Sequence, residues 1–213
     1  MRTFQRWTLR YVNNRIRTLY YEKTCPDHPW LTRSANEILD SWLVKSDVGL
    51  EFGSGRSTPW FASRIGHLTS VEHDPEWGGR VRQMLLRDGI SNVDYKVVPR
   101  DAEENSQEAR TAKYVQIIDS FDNNSLDFCL VDGAYREFCA MGVIPKIRPS
   151  GVLVIDNVNW YLPSHSISPN SRSLATGPKG PVWKEVETLL SDWRRIWTSS
   201  GVTDTALFFK PCT

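Results

Sequence analysis

The sequence predicts an α/β protein: a doubly wound seven-stranded sheet, mostly parallel, with an antiparallel hairpin at its C-terminal end. Three observations carry this. Short apolar runs of strand length alternate with segments of helical periodicity along most of the chain, the pattern of repeated βα units. The run at 152–155, Val-Leu-Val-Ile, is continuously apolar, as a strand covered on both faces must be. Two last strand-like runs, 194–198 and 205–209, are joined by a loop containing Gly201, which makes them an antiparallel pair at a sheet edge.

Taken in order, residues 2–21 place Phe4, Trp7, Leu9, Ile16, Leu19 and Tyr20 among arginines at loosely helical spacing. They form an accessory helix packed on the domain or on a second subunit, and we treat 1–29 as an N-terminal extension to a domain at 30–213. Pro26 and Pro29 keep 25–30 in a loop. Thr32 or Ser34 caps a helix carrying Ile38, Leu39, Trp42, Leu43 and Val44. The first strand, 48–52, runs into Gly53-Ser54-Gly55, and a helix follows. Residues 68–71 are the second strand. Pro75 opens a helix to Arg87 whose buried stripe is Val81, Met84, Leu85 and Leu86. Strands follow at 94–98, 126–131 and 152–155. Residues 114–121 are helix or an extra strand, 148–151 a turn, 164–181 a long mobile loop of the kind that forms lids, and 182–193 the last helix.

At 213 residues, 40% hydrophobic and 24% charged, the chain builds a full core rather than staying disordered. A net charge of +1 gives no pull toward nucleic acid or membrane. No stretch approaches the roughly 18 apolar residues of a membrane span. The N-terminal residues lack the apolar core of a secretory signal. Cys25, Cys129, Cys139 and Cys212 form no CxxC pair and point to reduced thiols in the cytoplasm, not to a disulfide frame or zinc site.

A strand, a glycine turn and a helix N-terminus bring backbone close to a ligand, and a side chain on the turn would clash with it or forbid the backbone angles. Glu72 ends the second strand about 20 residues later, the spacing at which a βαβ unit sets a carboxylate on a ribose diol. The third glycine of a dinucleotide fingerprint is missing, and no P-loop occurs. Asp101 and Ala102, after the third strand, are an adenine contact or a solvated loop. Asp132 ends the fourth strand and Asp156-Asn157 the fifth; in an open α/β sheet these ends face the ligand crevice. Two carboxylates and an amide oxygen suit a hard cation such as Mg²⁺, or else they cap loops and helices. Asn159, Trp160 and Tyr161 are a substrate wall or packing under the 164–181 loop.

The residues 50–58, Leu-Glu-Phe-Gly-Ser-Gly-Arg-Ser-Thr, and 70–74, Ser-Val-Glu-His-Asp, resemble the first two motifs of the Rossmann-like class I S-adenosylmethionine-dependent methyltransferases. The resemblance implies a cofactor site made by Glu51, Gly53, Ser54, Gly55, Ser57, Glu72, His73, Asp101, Ala102 and Asp132. The order Asp132, Asp156, Asn157 is similar to the divalent-metal triad of catechol- and caffeoyl-CoA-type O-methyltransferases, in which the metal orients a substrate hydroxyl and lowers its pKa. It implies Asp132, Tyr135 and Asp156 as catalytic residues, although Tyr135 stands where the catechol-type enzymes have a lysine. The expected activity is methyl transfer to an oxygen or nitrogen of a small molecule. The alternatives are a different transfer, such as that of an aminopropyl group, or a non-catalytic module on the same scaffold. A homodimer through the N-terminal helix is a further expectation. Nucleic-acid partners are not expected, since the [DN]PP[YF] signature is replaced by Asp132-Gly133-Ala134-Tyr135.

Overall fold

The computed structural model describes residues 8–104 and 106–212. Seven strands make one sheet: β1 (Val48–Phe52), β2 (His67–Glu72), β3 (Val93–Val97), β4 (Leu126–Val131), β5 (Ile147–Asp156), β6 (Arg194–Ser199) and β7 (Asp204–Phe209). Their order is β3-β2-β1-β4-β5-β7-β6. The first five strands run parallel, and β7 lies antiparallel between β5 and β6, so β6 is the edge. Around the sheet lie α1 (Leu9–Thr24), α2 (Arg33–Trp42), α3 (Ser57–Ala62), α4 (Pro75–Arg87), α5 (Lys113–Gln116), α6 (Arg136–Val143) and α7 (Gly180–Leu189).

Successive side chains of a strand point to opposite faces, and here both faces are apolar. Cys129, Val131, Leu153 and Ile155 pack on one side with α6 and α7 residues such as Phe138 and Trp183. Phe128, Leu130, Val152 and Val154 pack on the other with Leu39 of α2 and Phe61 of α3. Strand order reverses between β1 and β4, which opens a crevice at their C-terminal ends.

Several local expectations hold for local reasons. Thr32 caps α2, its Oγ1 accepting from the Ala35 N–H at 3.3 Å. Asp74 caps α4, accepting from Glu76 and Trp77, with Pro75 in the first turn. Others do not hold. The turn expected at 148–151 lies inside β5, with Ser150 at φ 66°; Ser150 N–H donates to Lys210 O and Lys210 N–H to Gly151 O, so β7 holds the distorted stretch in the sheet. The α4 stripe is Gly78, Val81 and Leu85, while Leu86 is 74% exposed because it sits about 100° round the helix from Leu85. Of residues 114–121, all but the extended Phe121 are helical, α5 followed by a 3₁₀ turn at Ile117–Ser120. The stretch from 164 to 179 is irregular but tied down, Ser168 Oγ donating to Asp204 Oδ1 at 2.6 Å and Lys179 N–H to Tyr161 O at 2.8 Å, and the last helix, expected at 182–193, is α7 at Gly180–Leu189.

Helix α1 buries none of its residues and leaves Leu9, Ile16, Leu19 and Tyr20 exposed. Phe4 and Trp7, assigned to it from the sequence, lie outside the described residues. It meets the body through Tyr21, whose hydroxyl is 2.7 Å from His28 Nδ1 and accepts from Asn36 Nδ2 at 3.3 Å. Among the described residues no helix is long and apolar enough to cross a membrane.

Candidate functional site

A cavity of about 360 Å³ opens in the crevice between β1 and β4. Its walls include Gly53, Ser54, Gly55 and Ser57 from the β1–α3 turn, Glu72 and His73 from the end of β2, and Asp132 from the end of β4. These seven sequence-nominated residues are therefore brought together. Glu72, Asp74 and Asp132 share the wall with Arg56, and Asp132 is paired from outside the wall by Arg136, so the cavity keeps a small excess of negative charge.

The two glycines of the turn have different reasons to be there. Gly53 has φ 94°, and a Cβ on it would lie 2.7 Å from the Gly133 nitrogen, because the loops after β1 and β4 touch at this point. A Cβ on Gly55 would meet only Trp77, at 3.8 Å. The fold itself thus requires Gly53, and Gly55 keeps space open in the cavity.

Glu72 is almost wholly buried and gathers four donors. Its Oε2 accepts from the Ser54 N–H and hydroxyl, both at 3.0 Å, and its Oε1 from the N–H groups of His73 at 2.7 Å and Asp74 at 2.8 Å. His73 Nδ1 is 3.0 Å from Oε1. Burial alone would raise its pKa; the bonds from His73, Asp74 and Ser54 outweigh burial and hold it at about 2. Glu72 is therefore a fixed negative charge. The Ser54 hydroxyl is also 2.7 Å from Tyr95 Oη.

Glu51 lies beneath the turn, not on the cavity. Its Oε2 accepts from Thr58 at 2.7 Å and Ser70 at 2.6 Å, and Thr58 Oγ1 in turn accepts from the Gly55 N–H at 3.1 Å. Its Oε1 is buried without a partner. Burial pushes its pKa up to about 7. Glu51 braces the turn through Thr58.

Asp101 and Ala102 are not on the cavity wall. Asp101 Oδ2 accepts from the Lys113 N–H at 3.3 Å. Ala102 is clamped by Tyr135, whose hydroxyl donates to its carbonyl at 2.6 Å and accepts from its N–H at 3.1 Å. With φ 49° the Tyr135 backbone turns the ring into the core, where it is 2% exposed. Tyr135 ties the loop after β3 to the loop after β4 and does not reach the cavity.

The three residues nominated for a cation do not form a cation site. Arg136, one turn after Asp132, puts its guanidinium among them. Its Nη2 is 2.7 Å from Asp132 Oδ1 and 2.6 Å from Asp132 O; Nη1 donates to Asn157 Oδ1 at 3.0 Å and Asp156 O at 2.9 Å; Nε donates to Gly133 O at 3.0 Å. These five contacts match the five N–H groups of a guanidinium. Asp156 Oδ1 accepts from Thr205 at 2.6 Å, and burial raises the Asp156 pKa to about 7. Among the described residues no cluster of three or more His, Cys, Asp or Glu side chains could hold a metal.

The sequence reading missed Trp77, Asp74, Pro29 and Leu31, which also line the cavity. Trp77 Nε1 donates to Ser54 O at 2.8 Å, so the first turn of α4 holds the glycine turn in place. The signal was available: a helix starting two residues after a strand end must show its first turn to the crevice. Tyr161 stacks on Trp183, with centroids 4.6 Å apart and planes at 17°, and the Asn159 Nδ2 donates to Pro169 O at 3.1 Å; both are packing and loop anchors.

No protein-family model matches the sequence. No curated protein matches it either. Solved structures do. A methyltransferase-like protein of Silicibacter pomeroyi is 22% identical, over 87% of this chain and 90% of that one, with a TM-score of 0.56. A candidate caffeoyl-CoA O-methyltransferase of Staphylococcus aureus is 13% identical over 93% and 99%, TM-score 0.56. A candidate methyltransferase of Streptococcus mutans, solved with S-adenosylhomocysteine, is 9% identical over 83% and 96%, TM-score 0.53. The chain has the class I S-adenosylmethionine-dependent methyltransferase fold.

Proposed function

We propose that the protein is an S-adenosylmethionine-dependent methyltransferase that methylates an oxygen or nitrogen of a small molecule and needs no divalent cation. One observation carries this: the Gly53-Ser54-Gly55 turn, the Glu72 carboxylate and Asp132 share one acidic cavity at the point where strand order reverses. The acidic walls favour a cationic ligand over a pyrophosphate. Glu72 would hold the ribose hydroxyls, and the turn from Gly53 to Ser57 would hold the amino-acid end, braced from below by Glu51 and Thr58. When bound, the cofactor would supply a methyl group activated by a sulfonium for transfer to an acceptor lone pair.

The protein then supplies proximity and alignment. Asp132, on the cavity wall and held by Arg136, orients the acceptor by accepting a hydrogen bond from it. Asp156 and Asn157 set the position of Arg136 and do not reach for a metal. Four free cysteines support a cytoplasmic setting, and the near-neutral charge supports a small-molecule acceptor.

The test is calorimetric titration of the protein with S-adenosylhomocysteine, followed by an acceptor screen run with and without a chelator. Binding and chelator-resistant turnover are expected. No heat of binding refutes the cofactor assignment, and turnover abolished by the chelator and restored by Mg²⁺ refutes the metal-free reading.

A further inference from the structure

A second cavity, about 690 Å³, lies between α1, the loop 25–33 and the turn joining β6 to β7. It shares Trp30 and Leu31 with the cofactor cavity, so the two abut. Its volume is in the range of sites that enclose a drug-sized molecule. It also reaches the ends of the central strands. Thr203, on its wall, accepts from Asn157 Nδ2 at 2.6 Å, and Asn157 Oδ1 accepts from Arg136, which pairs with Asp132 in the other cavity. Side chains in contact thus run from one cavity to the other.

The walls differ in chemistry. The cofactor cavity has three carboxylates to one guanidinium. The second cavity has three guanidiniums, on Arg15, Arg17 and Arg33, to two carboxylates, on Glu22 and Glu37. Arg33 and Glu37 form an exposed pair at 2.8 Å, of a kind worth little in water. Arg15 and Glu22 are seven residues apart on one flank of α1. Arg17 has no carboxylate partner among the described residues and lies one turn before Tyr21 on the same face of α1. The Arg33 guanidinium is 5.7 Å from the centre of the Tyr21 ring. Tyr21 is held by His28 and Asn36, and Trp30 by Arg56, whose guanidinium is 4.8 Å from its ring centre. Two rings, a guanidinium on Arg17 unpaired among the described residues and one on Arg33 held only by an exposed, exchangeable pair with Glu37 therefore line one space.

We infer that this cavity takes the methyl acceptor, and that the acceptor is an aromatic carboxylic acid: its ring lies against Tyr21 and Trp30 and its carboxylate is held by Arg17 and Arg33. The inference rests on the methyltransferase reading and names the substrate class of that site. Opposite signs on the two cavities sort the two reactants, a cationic donor to the acidic side and an anionic acceptor to the basic side, before any specific contact forms.

The probes are 4-hydroxybenzoate, 6-hydroxy-2-naphthoate and the two matching carboxamides, titrated by calorimetry into full-length protein saturated with S-adenosylhomocysteine. At least one acid is expected to bind about tenfold more tightly than its carboxamide, the value of one charge-assisted hydrogen bond. The R17Q/R33Q double variant should lose that preference and keep the amide's affinity, and R17K should keep part of the preference. Equal binding of acid and amide, a preference that survives R17Q/R33Q, or no binding by either acid at millimolar concentration overturns the inference. The preceding titration with S-adenosylhomocysteine separates the two readings. If it fails, the methyltransferase assignment falls; if it succeeds and the acids show no preference, only the acceptor class falls.

Discussion

Replacing Glu72 by glutamine tests the site where fold and function meet. The wild-type carboxylate accepts from four protein donors, and about four lone-pair positions is all it has. A glutamine turns one of its two acceptor oxygens into a donor, which must face either the Ser54 pair or the His73 and Asp74 N–H groups. The cost follows from the pKa. The carboxyl falls from 4.5 to about 2 on folding. At about 1.4 kcal/mol per unit that is about 3 kcal/mol, or about 2 once the solvent reaching it through the cavity is allowed for. Because the folded pKa is depressed, this contribution is present above pH 4.5 and fades as pH falls toward 2. Chemical denaturation should therefore show Glu72→Gln about 2 kcal/mol less stable at pH 7, with the gap narrowing below pH 4. Affinity for S-adenosylhomocysteine should drop about tenfold to a hundredfold as the charged acceptor for the ribose is lost. A ribose diol must displace one of the present donors, and the Ser54 hydroxyl has Tyr95 as a second partner. Ser54→Ala should thus leave cofactor affinity unchanged or raise it. Undiminished affinity in Glu72→Gln, in a variant whose fold is intact, would remove the ribose assignment.

The two glycines of the turn should separate stability from binding. Gly53→Ala meets backbone at a positive φ and should cost about 2–4 kcal/mol by denaturant titration, whereas Gly55→Ala should melt like wild type and lose cofactor affinity in calorimetry. Burial raises the Glu51 pKa from 4.5 to about 7, so Glu51 withdraws stability as pH climbs from about 4.5 and has withdrawn all of it above 7; Asp156, raised by burial from 3.8, acts in the same direction. Glu51 alone accounts for on the order of 3 kcal/mol of that loss. The melting temperature should fall between pH 5 and 8, less steeply in Glu51→Gln; an unchanged slope would contradict the assignment. Tyr135→Phe removes the clamp on Ala102 and should lower stability by about 1 kcal/mol in denaturant while the catalytic rate stays near wild type, since the hydroxyl does not reach the cavity.

The parts of this molecule legible in its sequence are those whose signal is local. Strand β4 and helix α4 were bounded to the residue, one by an apolar run broken only at Asp127 and the other by Pro75 at its start and the end of its apolar period. Glu72 was legible because a strand end and a fixed spacing place it. The rest depends on partners far along the chain. Residues 148–151 read as a turn and are held in β5 only because Lys210, some sixty positions later, bonds to both ends of the distortion. Glu51 was expected among the ligand contacts because the resemblance of residues 50–58 to the family's first motif implied it. Its side chain instead lies on the underside, where Ser70 of the neighbouring strand and Thr58 of α3 donate hydrogen bonds to it. Nothing in residues 48–52 says which hydroxyls will be there.

Arg136 shows how much one such partner can change. The order Asp132, Asp156, Asn157 is compatible with a cation site, and the topology does bring the three residues to one edge of the sheet. What decides their chemistry is the first residue of α6, four positions after Asp132 and beyond the loop that ends β4, with a side chain long enough to cross to the end of β5. A guanidinium placed there takes up Asp132 Oδ1 and Asn157 Oδ1, two of the oxygens a divalent ion would need, and spends its other three N–H groups on backbone carbonyls. It is left with no open position at which to bind and polarise an acceptor, which is what makes a metal ion a catalyst in such a site. The edge between β4 and β5 is therefore built for rigidity. On the proposed methyltransferase reading, orientation of the acceptor then falls to Asp132, whose carboxylate Arg136 fixes, and its selection to the cavity that α1 lines.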